Sequence, residues 1–279
     1  MKNSSTLILL LCFIIPAGQI FSQELSPQKK AKPFIEINVS GGYNYSLFDL
    51  KGSGDLRSFW SLSDYAMGSG FGTNANIKLG VFASRMLQLK IKMELSYSHF
   101  SNSDSRAYSV GPVDMGWPNK TFPNINTPYY PRDTAGVSSL RLNMPGMGFG
   151  LECSVFTDRD NKSAFNFGLD LMATLITGRA HETIQNSNES YVTINPSLRF
   201  GVGLNSSYSY RFEDWVGFHV GTKFTLPNIF SKSSEMTDQA GYISLLDDSN
   251  TALNPLLKTK RIIGFMQLFA GITFYMGRM

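Results

Sequence analysis

Leu87–Ser98 reads LQLKIKMELSYS. Leu87, Leu89, Ile91, Met93, Leu95 and Tyr97 alternate without a break with Gln88, Lys90, Lys92, Glu94, Ser96 and Ser98. A period of two makes a β-strand with one apolar face and one polar, partly charged face. The chemistry of the rest of the chain follows from asking what lies against each face.

The alternation returns seven more times. Apolar faces come from Ile35, Ile37, Val39, Tyr43 and Tyr45; from Ile77, Leu79 and Val81; and from Met147, Phe149, Leu151 and Val155. They continue with Phe165, Phe167, Leu169, Leu171 and Leu175, then Val192, Ile194, Leu198, Phe200, Val202 and Leu204. Val216, Phe218, Val220 and Phe224, then Met266, Leu268, Ala270, Ile272 and Phe274, complete the set. The connections alternate long and short: 48–72 then 83–86, 101–138 then 157–163, 178–190 then 205–213, and finally 227–260. Short turns at one end and long loops at the other are the rhythm of a membrane-spanning barrel, whereas a soluble sandwich shares only the alternation. Twelve residues at ~3.3 Å, tilted ~45°, rise about 28 Å, enough for an apolar band ~25 Å tall. The expected fold is all-β: an eight-stranded antiparallel up-and-down transmembrane β-barrel with long extracellular loops and short periplasmic turns.

Composition agrees. Charged residues are 16% of the 279, while Gly (25), Phe (21) and Tyr (12) are plentiful and mean hydropathy is −0.10. A net charge of +4 without a basic run gives no case for nucleic acid. Residues 1–22 read as a cleaved signal peptide: Lys2, an apolar core Leu7–Ile15, a break at Pro16-Ala17-Gly18 and small Ser22. Its loss removes Cys12 and leaves Cys153 alone, so no intramolecular disulfide forms. The barrel domain is expected over 33–279, in the outer membrane of a Gram-negative envelope. Tyr43, Tyr45, Tyr97 and Tyr191 would form an outer aromatic girdle, and Phe156, Phe212 and Trp215 a periplasmic one. Pro196 requires a bulge, since a ladder without edges leaves no place for a missing N–H. Phe269 and Tyr275 fall on the inward class of the last strand, so either a bulge shifts the register or they plug the lower lumen.

The pattern resembles the small eight-stranded outer-membrane proteins of the OmpA/OmpX type, and in particular the Bacteroidetes-type outer membrane β-barrel proteins. It covers 33–279 and rests on the alternation, on Phe21-Ser22-Gln23, and on the last strand GFMQLFAGITFY (Gly264–Tyr275). That strand is similar to the signal read by the barrel assembly machinery, although this chain continues through Met276-Gly277-Arg278-Met279 instead of ending on an aromatic. The resemblance implies outer-membrane lipid and lipopolysaccharide as surroundings.

Eight strands enclose a space that side chains can fill. The inward class supplies Glu36, Lys78, Lys90, Lys92, Glu94, Glu152, Asp170, Arg199 and Lys223. Nearly balanced signs in a low-dielectric tube favour an ion-pair network that closes it. Inward glycines at 148, 150, 201, 217, 221 and 271 would relieve crowding there. Localised function is expected on the external connections. Segment 101–138 holds Pro112, Trp117, Pro118, Phe122, Pro123, Pro128, Tyr129, Tyr130 and Pro131, suited to a peptide, glycan or lipid, or to a stiff cap. Segment 227–260 carries Glu235, Asp238, Asp247 and Asp248, without the spacing of a defined cation site. His99, His181 and His219 lie on different elements, so neither metal nor cofactor is implied. The sharpest catalytic candidate is His99-Phe100-Ser101-Asn102. It resembles the His-x-Ser-Asn signature of the lipid A 3-O-deacylase family, which implies Ser101 as nucleophile, His99 as base and Asp104 as a conceivable orienting acid. The family's following Asn-Pro-Gly element has no counterpart here. The reading is a non-enzymatic barrel with a structural or surface-binding role. Its alternatives are a deacylase-like hydrolase through Ser101 and His99, or a narrow conduit or secretion-system accessory.

Overall fold

The computed structural model describes residues 34–52, 62, 67–83, 86–102, 106–109, 135–158, 160–184, 190–230, 242–243 and 261–276. Eight long strands carry the fold: β1 Ile35–Leu47, β2 Ser69–Ala83, β3 Leu87–Ser101, β4 Ala135–Phe156, β5 Ser163–Ile184, β6 Ser190–Glu213, β7 Val216–Phe230 and β8 Ile263–Met276. A one-turn helix, α1 (Phe48–Lys51), follows β1. Short strands at Arg106–Ser109 and Tyr242–Ile243 pair with the outer ends of β4 and β6. Each long strand pairs antiparallel with the next, and β8 pairs antiparallel with β1, so the sheet closes on itself. No helix among the described residues is long and apolar enough to cross a bilayer.

The register fixes the barrel's shape. From Ile35, partners run through Leu79, Ile91, Leu151, Leu169, Leu204, Phe224 and Met266 and return to β1 at Tyr45, ten residues further on. That stagger over eight strands corresponds to a tilt of about 43°. Every residue on this circuit is apolar or aromatic, and all of them face outward, half-buried or exposed. Leu171 and Met93 reach 64% and 63% exposure. Their inward neighbours Lys92, Glu94 and Asp170 are 5% exposed or less. A water-soluble barrel would have the reverse distribution; here the grease is outside.

Several boundaries differ from the sequence expectation, all in one direction. β4 begins at Ala135, β5 runs to Ile184 and β6 spans Ser190–Glu213, so 178–190 shrinks to a connection of 185–189 and 205–213 to the pair Asp214–Trp215. β2 likewise begins at Ser69 and β7 continues to Phe230. Beyond the apolar band the outward class becomes polar while the inward class becomes apolar, as in Leu140-Arg141-Leu142-Asn143-Met144. Alternation persists with its chemistry inverted, which from sequence reads as loop.

Proline sets two local shifts. The β5–β6 ladder steps from Ile176↔Ser197 to Gly178↔Ile194, leaving Asn195 and Pro196 opposite Thr177. That bulge swaps the faces above it, so Ile194, expected outward, is fully buried. Pro227 marks the second shift, where β6 and β7 step from Val202↔Leu226 to Phe200↔Phe230. Gly201 is needed here because a Cβ would collide with the Leu226 carbonyl. On β8 the register with β1 is unbroken. Phe269 and Tyr275 therefore stay on the inward class.

Rings gather at both ends. Near the short turns, Phe165 meets Tyr208 at 5.3 Å, Tyr210 meets Phe218 at 5.9 Å, and Trp215 stacks on Phe274 at 6.3 Å. Near the loop end, Phe71 contacts Tyr97 at 6.4 Å and His99 at 5.3 Å. Phe156 does not join the turn-end girdle. It sits on β4's inward class at 7% exposure and caps the lumen instead. Val216, also expected outward, is buried where its register partner Phe274 stacks with Trp215. Tyr191's side chain lies outside the described residues.

The β4–β5 turn is held by Asp158, whose carboxylate accepts the N–H of Ser163 and of Lys162, each at 3.0 Å. These bonds, Ser163's foremost, hold the Asp158 carboxyl below its ordinary value. A group depressed on folding stabilises above its unfolded pKa and loses that contribution as pH falls through the folded one. The turn should therefore loosen only in acid below the ordinary aspartate range. An NMR titration should show the Ser163 amide shifting with a midpoint below that of a free aspartate; a midpoint at or above it would contradict the assignment.

Candidate functional site

The lumen is built around one glycine. Lys92 on β3 faces Gly150 on β4, and Gly150 faces Asp170 on β5. With no side chain between them, Lys92 Nζ reaches across a whole strand to Asp170 Oδ2 at 2.6 Å. Lys78 on β2 likewise passes β3 to reach Glu152 Oε1 on β4 at 2.6 Å. Lys90 bonds Glu36 at 2.7 Å and stands 3.7 Å from Glu152, while Lys92 lies 3.2 Å from Glu94. Lys223 closes onto the other oxygen of Glu94. Asn205 links the two halves, accepting from Lys92 at 3.4 Å and donating to Glu152 Oε2 at 3.3 Å.

These contacts connect Lys78, Lys90, Lys92 and Lys223 with Glu36, Glu94, Glu152 and Asp170, four cations and four anions, each with a buried side chain. Desolvating so many charges is costly unless every one is paired, and here the pairing is reciprocal. Arg199 is fully buried on β6, a ninth lumenal charge. Asn205 is the member that sequence reasoning misses, because it falls in a stretch that reads as a turn. Its position two steps along the inward class from Gly201 is the signal that could have found it.

Among the described residues, little space is left at the centre of the network. The gap among Asn38, Asn74, Lys92, Glu152, Asn205 and His219 is about 20 Å³, about one water's worth. Asn74 donates to Gln267 at 2.6 Å, and His219 Nδ1 bonds Thr273 Oγ1 at 2.9 Å with its ring 5.8 Å from Phe269. Toward the turns, Ser154 donates to Asn166 at 2.6 Å, and the Arg211 guanidinium lies 4.0 Å over the Tyr275 ring. Toward the loops apolar side chains take a larger share of the filling, alongside buried Ser46, Asn228 and Arg261. Phe100 packs edge-on against Phe265 at 5.2 Å, with Leu140, Leu142, Ile176, Ile194 and α1's Leu50 all at 0% exposure. Asp49 ties α1 down: its N–H donates to the Ile262 carbonyl at 3.0 Å, and its carboxylate accepts the Ile262 N–H at 2.6 Å. Among the described residues, an ionic layer and a layer richer in apolar side chains, with Ser46, Asn228 and Arg261 also buried in it, thus follow one another along the bore.

His99 and Ser101 share the outward face of β3, both half-buried. His99 Nδ1 bonds Asn143 Oδ1 at 2.8 Å, and Tyr97 donates to the same oxygen at 2.7 Å. Side chains two apart on a strand are separated by ~6.6 Å, and among the described residues no hydrogen bond joins His99 to Ser101. Asp104 lies outside the described residues, as do most of 101–138 and 227–260. His99, His181 and His219 stay on β3, β5 and β7, and no group of three metal-ligating side chains occurs among the described residues. Cys153 carries no disulfide.

A closed eight-stranded antiparallel ring, apolar outside and charged inside, defines a transmembrane β-barrel of the outer-membrane kind. No family model and no curated protein sequence matches the chain. Solved structures similar to it are outer-membrane proteins. Neisserial surface protein A (NspA) is 11% identical with a TM-score of 0.34, over 88% of this chain and 99% of that one. Ail, the attachment invasion locus protein of Yersinia pestis, is 6% identical at 0.35, over 86% and 97%. A major outer membrane protein from Thermus thermophilus is 8% identical at 0.43, over 88% and 100%.

Proposed function

We propose that the protein is a sealed, non-enzymatic barrel of the bacterial outer membrane, serving envelope structure and surface binding. It is exported by a cleaved signal at 1–22 and inserted by the barrel assembly machinery. The short turns lie in the periplasm, and the connections 101–138 and 227–260 offer surface to an external ligand. The observation that carries this reading is the four-against-four ion network with room for about one water beside it. A lumen filled to that degree passes no solute, so work is left to the outer rim and the lipid-facing wall. Hydrolysis through Ser101 and His99 is the weaker reading: Asn143 on Nδ1 could orient the ring, but side chains two apart on a strand stand ~6.6 Å apart, and among the described residues no hydrogen bond joins His99 to Ser101.

Purified protein reconstituted in planar bilayers should give no steady single-channel current at moderate voltage. Steady currents that Lys90→Ala or Glu94→Ala enlarge would overturn the sealed lumen. Mass spectrometry of lipid A from cells with and without the gene should show one acyl pattern, and a lost acyl chain would overturn the non-enzymatic reading.

A further inference from the structure

The outward class of β3 ends in Tyr97, His99 and Ser101, while Ser98 and Phe100 turn into the lumen. Phe71 of β2 and Asn143 of β4 flank His99 in register, and Thr177 of β5 lies beyond Asn143. Outward apolar positions stop one step lower, at Pro145 on β4 and Leu175 on β5, both exposed. His99, Asn143 and Thr177 therefore occupy the first polar level above the apolar band, where lipid headgroups lie.

The hydrogen bonds at this level are arranged around one oxygen. Asn143 Oδ1 accepts from the Tyr97 hydroxyl at 2.7 Å and from His99 Nδ1 at 2.8 Å. Both of its lone pairs are thereby used. The Thr177 hydroxyl donates to the Asn143 backbone carbonyl at 3.2 Å and steadies the strand beneath it. An acceptor at Nδ1 places the imidazole proton there, so Nε2 is left to accept. Asn143 Nδ2 keeps its N–H groups to donate, and the Ser101 hydroxyl can do either. Among the described residues none of these three atoms is hydrogen-bonded. Beside them Phe71 packs on the His99 ring at 5.3 Å and on Tyr97 at 6.4 Å, yet is 54% exposed. A donor, an acceptor, a hydroxyl and an apolar ring are thus held at one height on the wall.

Hydrocarbon against this set would leave an amide and an imidazole without partners, which is costly. A sugar ring meets it on both counts: its hydroxyls donate and accept, and its C–H face can cover an aromatic ring. We propose that Asn143, His99, Ser101 and Phe71 form a docking site for the sugar headgroup of a glycolipid in the surrounding outer leaflet. Its acyl chains lie along Pro145 and Leu175. The site rests on the membrane-spanning reading with the loop end outside, and it gives His99 and Ser101 a binding role in place of a hydrolytic one.

The test is native mass spectrometry of the full-length protein, released from nanodiscs containing either monoglucosyl diacylglycerol or diacylglycerol with the same acyl chains. The glucosyl lipid should remain bound at least about tenfold more often, the return expected from two or three neutral hydrogen bonds. Asn143→Asp keeps an acceptor for Tyr97 and His99 but removes the amide donor, so it should fold and lose most of that preference. Phe71→Leu keeps the level apolar but removes the ring, and it should lower the preference as well; it still reads the site if Asn143→Asp does not fold. Methyl glucoside at millimolar concentration should not displace the lipid, because a free sugar lacks the chains. Equal retention of the two lipids, a preference unchanged in both variants, or displacement by methyl glucoside would each overturn the site. Failure of the parent chain to insert into nanodiscs would instead overturn the barrel reading beneath it.

Discussion

Glu152→Leu should cost the folded barrel about 3–5 kcal/mol, the usual penalty for breaking a buried ion pair from one side. Glu152 is fully buried and holds Lys78 at 2.6 Å, Lys90 at 3.7 Å and the Asn205 amide at 3.3 Å. Leucine fills the volume but takes the ion-pair partner from Lys78 and leaves Lys90 with Glu36 alone at 2.7 Å, in a space with room for about one water. Adding Lys78→Met should recover part of the loss, because replacing both partners by apolar groups removes the uncompensated charge along with the pair. Urea unfolding of the protein in lipid vesicles, followed by the shift between folded and unfolded bands on unheated gels, reads both variants. A loss below about 1 kcal/mol for Glu152→Leu, the range of an exposed pair, would mean that water reaches these lysines and that the lumen is open.

How much of this was legible in the sequence depends on which side of the wall set the pattern. Where hydrocarbon lies outside, apolar residues are obligatory at alternate positions, so Leu87–Tyr97 and Phe165–Leu175 declare both strand and face without ambiguity. Their neighbours on the inward class follow automatically, which is why all nine charges named from sequence lie buried in the lumen. At the loop end the constraint changes sides. Leu140, Leu142 and Met144 turn inward to seal the mouth while Arg141 and Asn143 face out, and nothing local distinguishes that from amphipathic loop. Ile194 shows a second limit, since a proline bulge moves the faces by one residue and only the pairing reveals by how much. Contact partners are a third. Lys92 meets Asp170 because Gly150 lies between them in register, and register across three strands is a property of the closed ring, not of any one segment.

Leu171→Arg carries the other large expected effect, about 2–4 kcal/mol against folding, the cost of arginine on the lipid face near the bilayer midplane. Leu171 is 64% exposed and sits mid-band on β5, between Phe149 of β4 and Val202 of β6 in register. On a soluble protein an exposed leucine away from special features changes stability by about 0.5 kcal/mol or less when replaced. The penalty therefore comes from hydrocarbon and from nothing the side chain touches within the protein. Depth supplies the control. Thr177→Arg, on the same face of the same strand but beyond the last apolar position at Leu175, should cost about 0–1 kcal/mol. Vesicle-reconstituted urea titrations of the two variants give the difference directly. A steep gradient between these two positions locates the bilayer on the outer wall of the barrel, whereas equal, small effects at both would place that wall in water and leave the apolar circuit from Ile35 to Tyr45 without a cause.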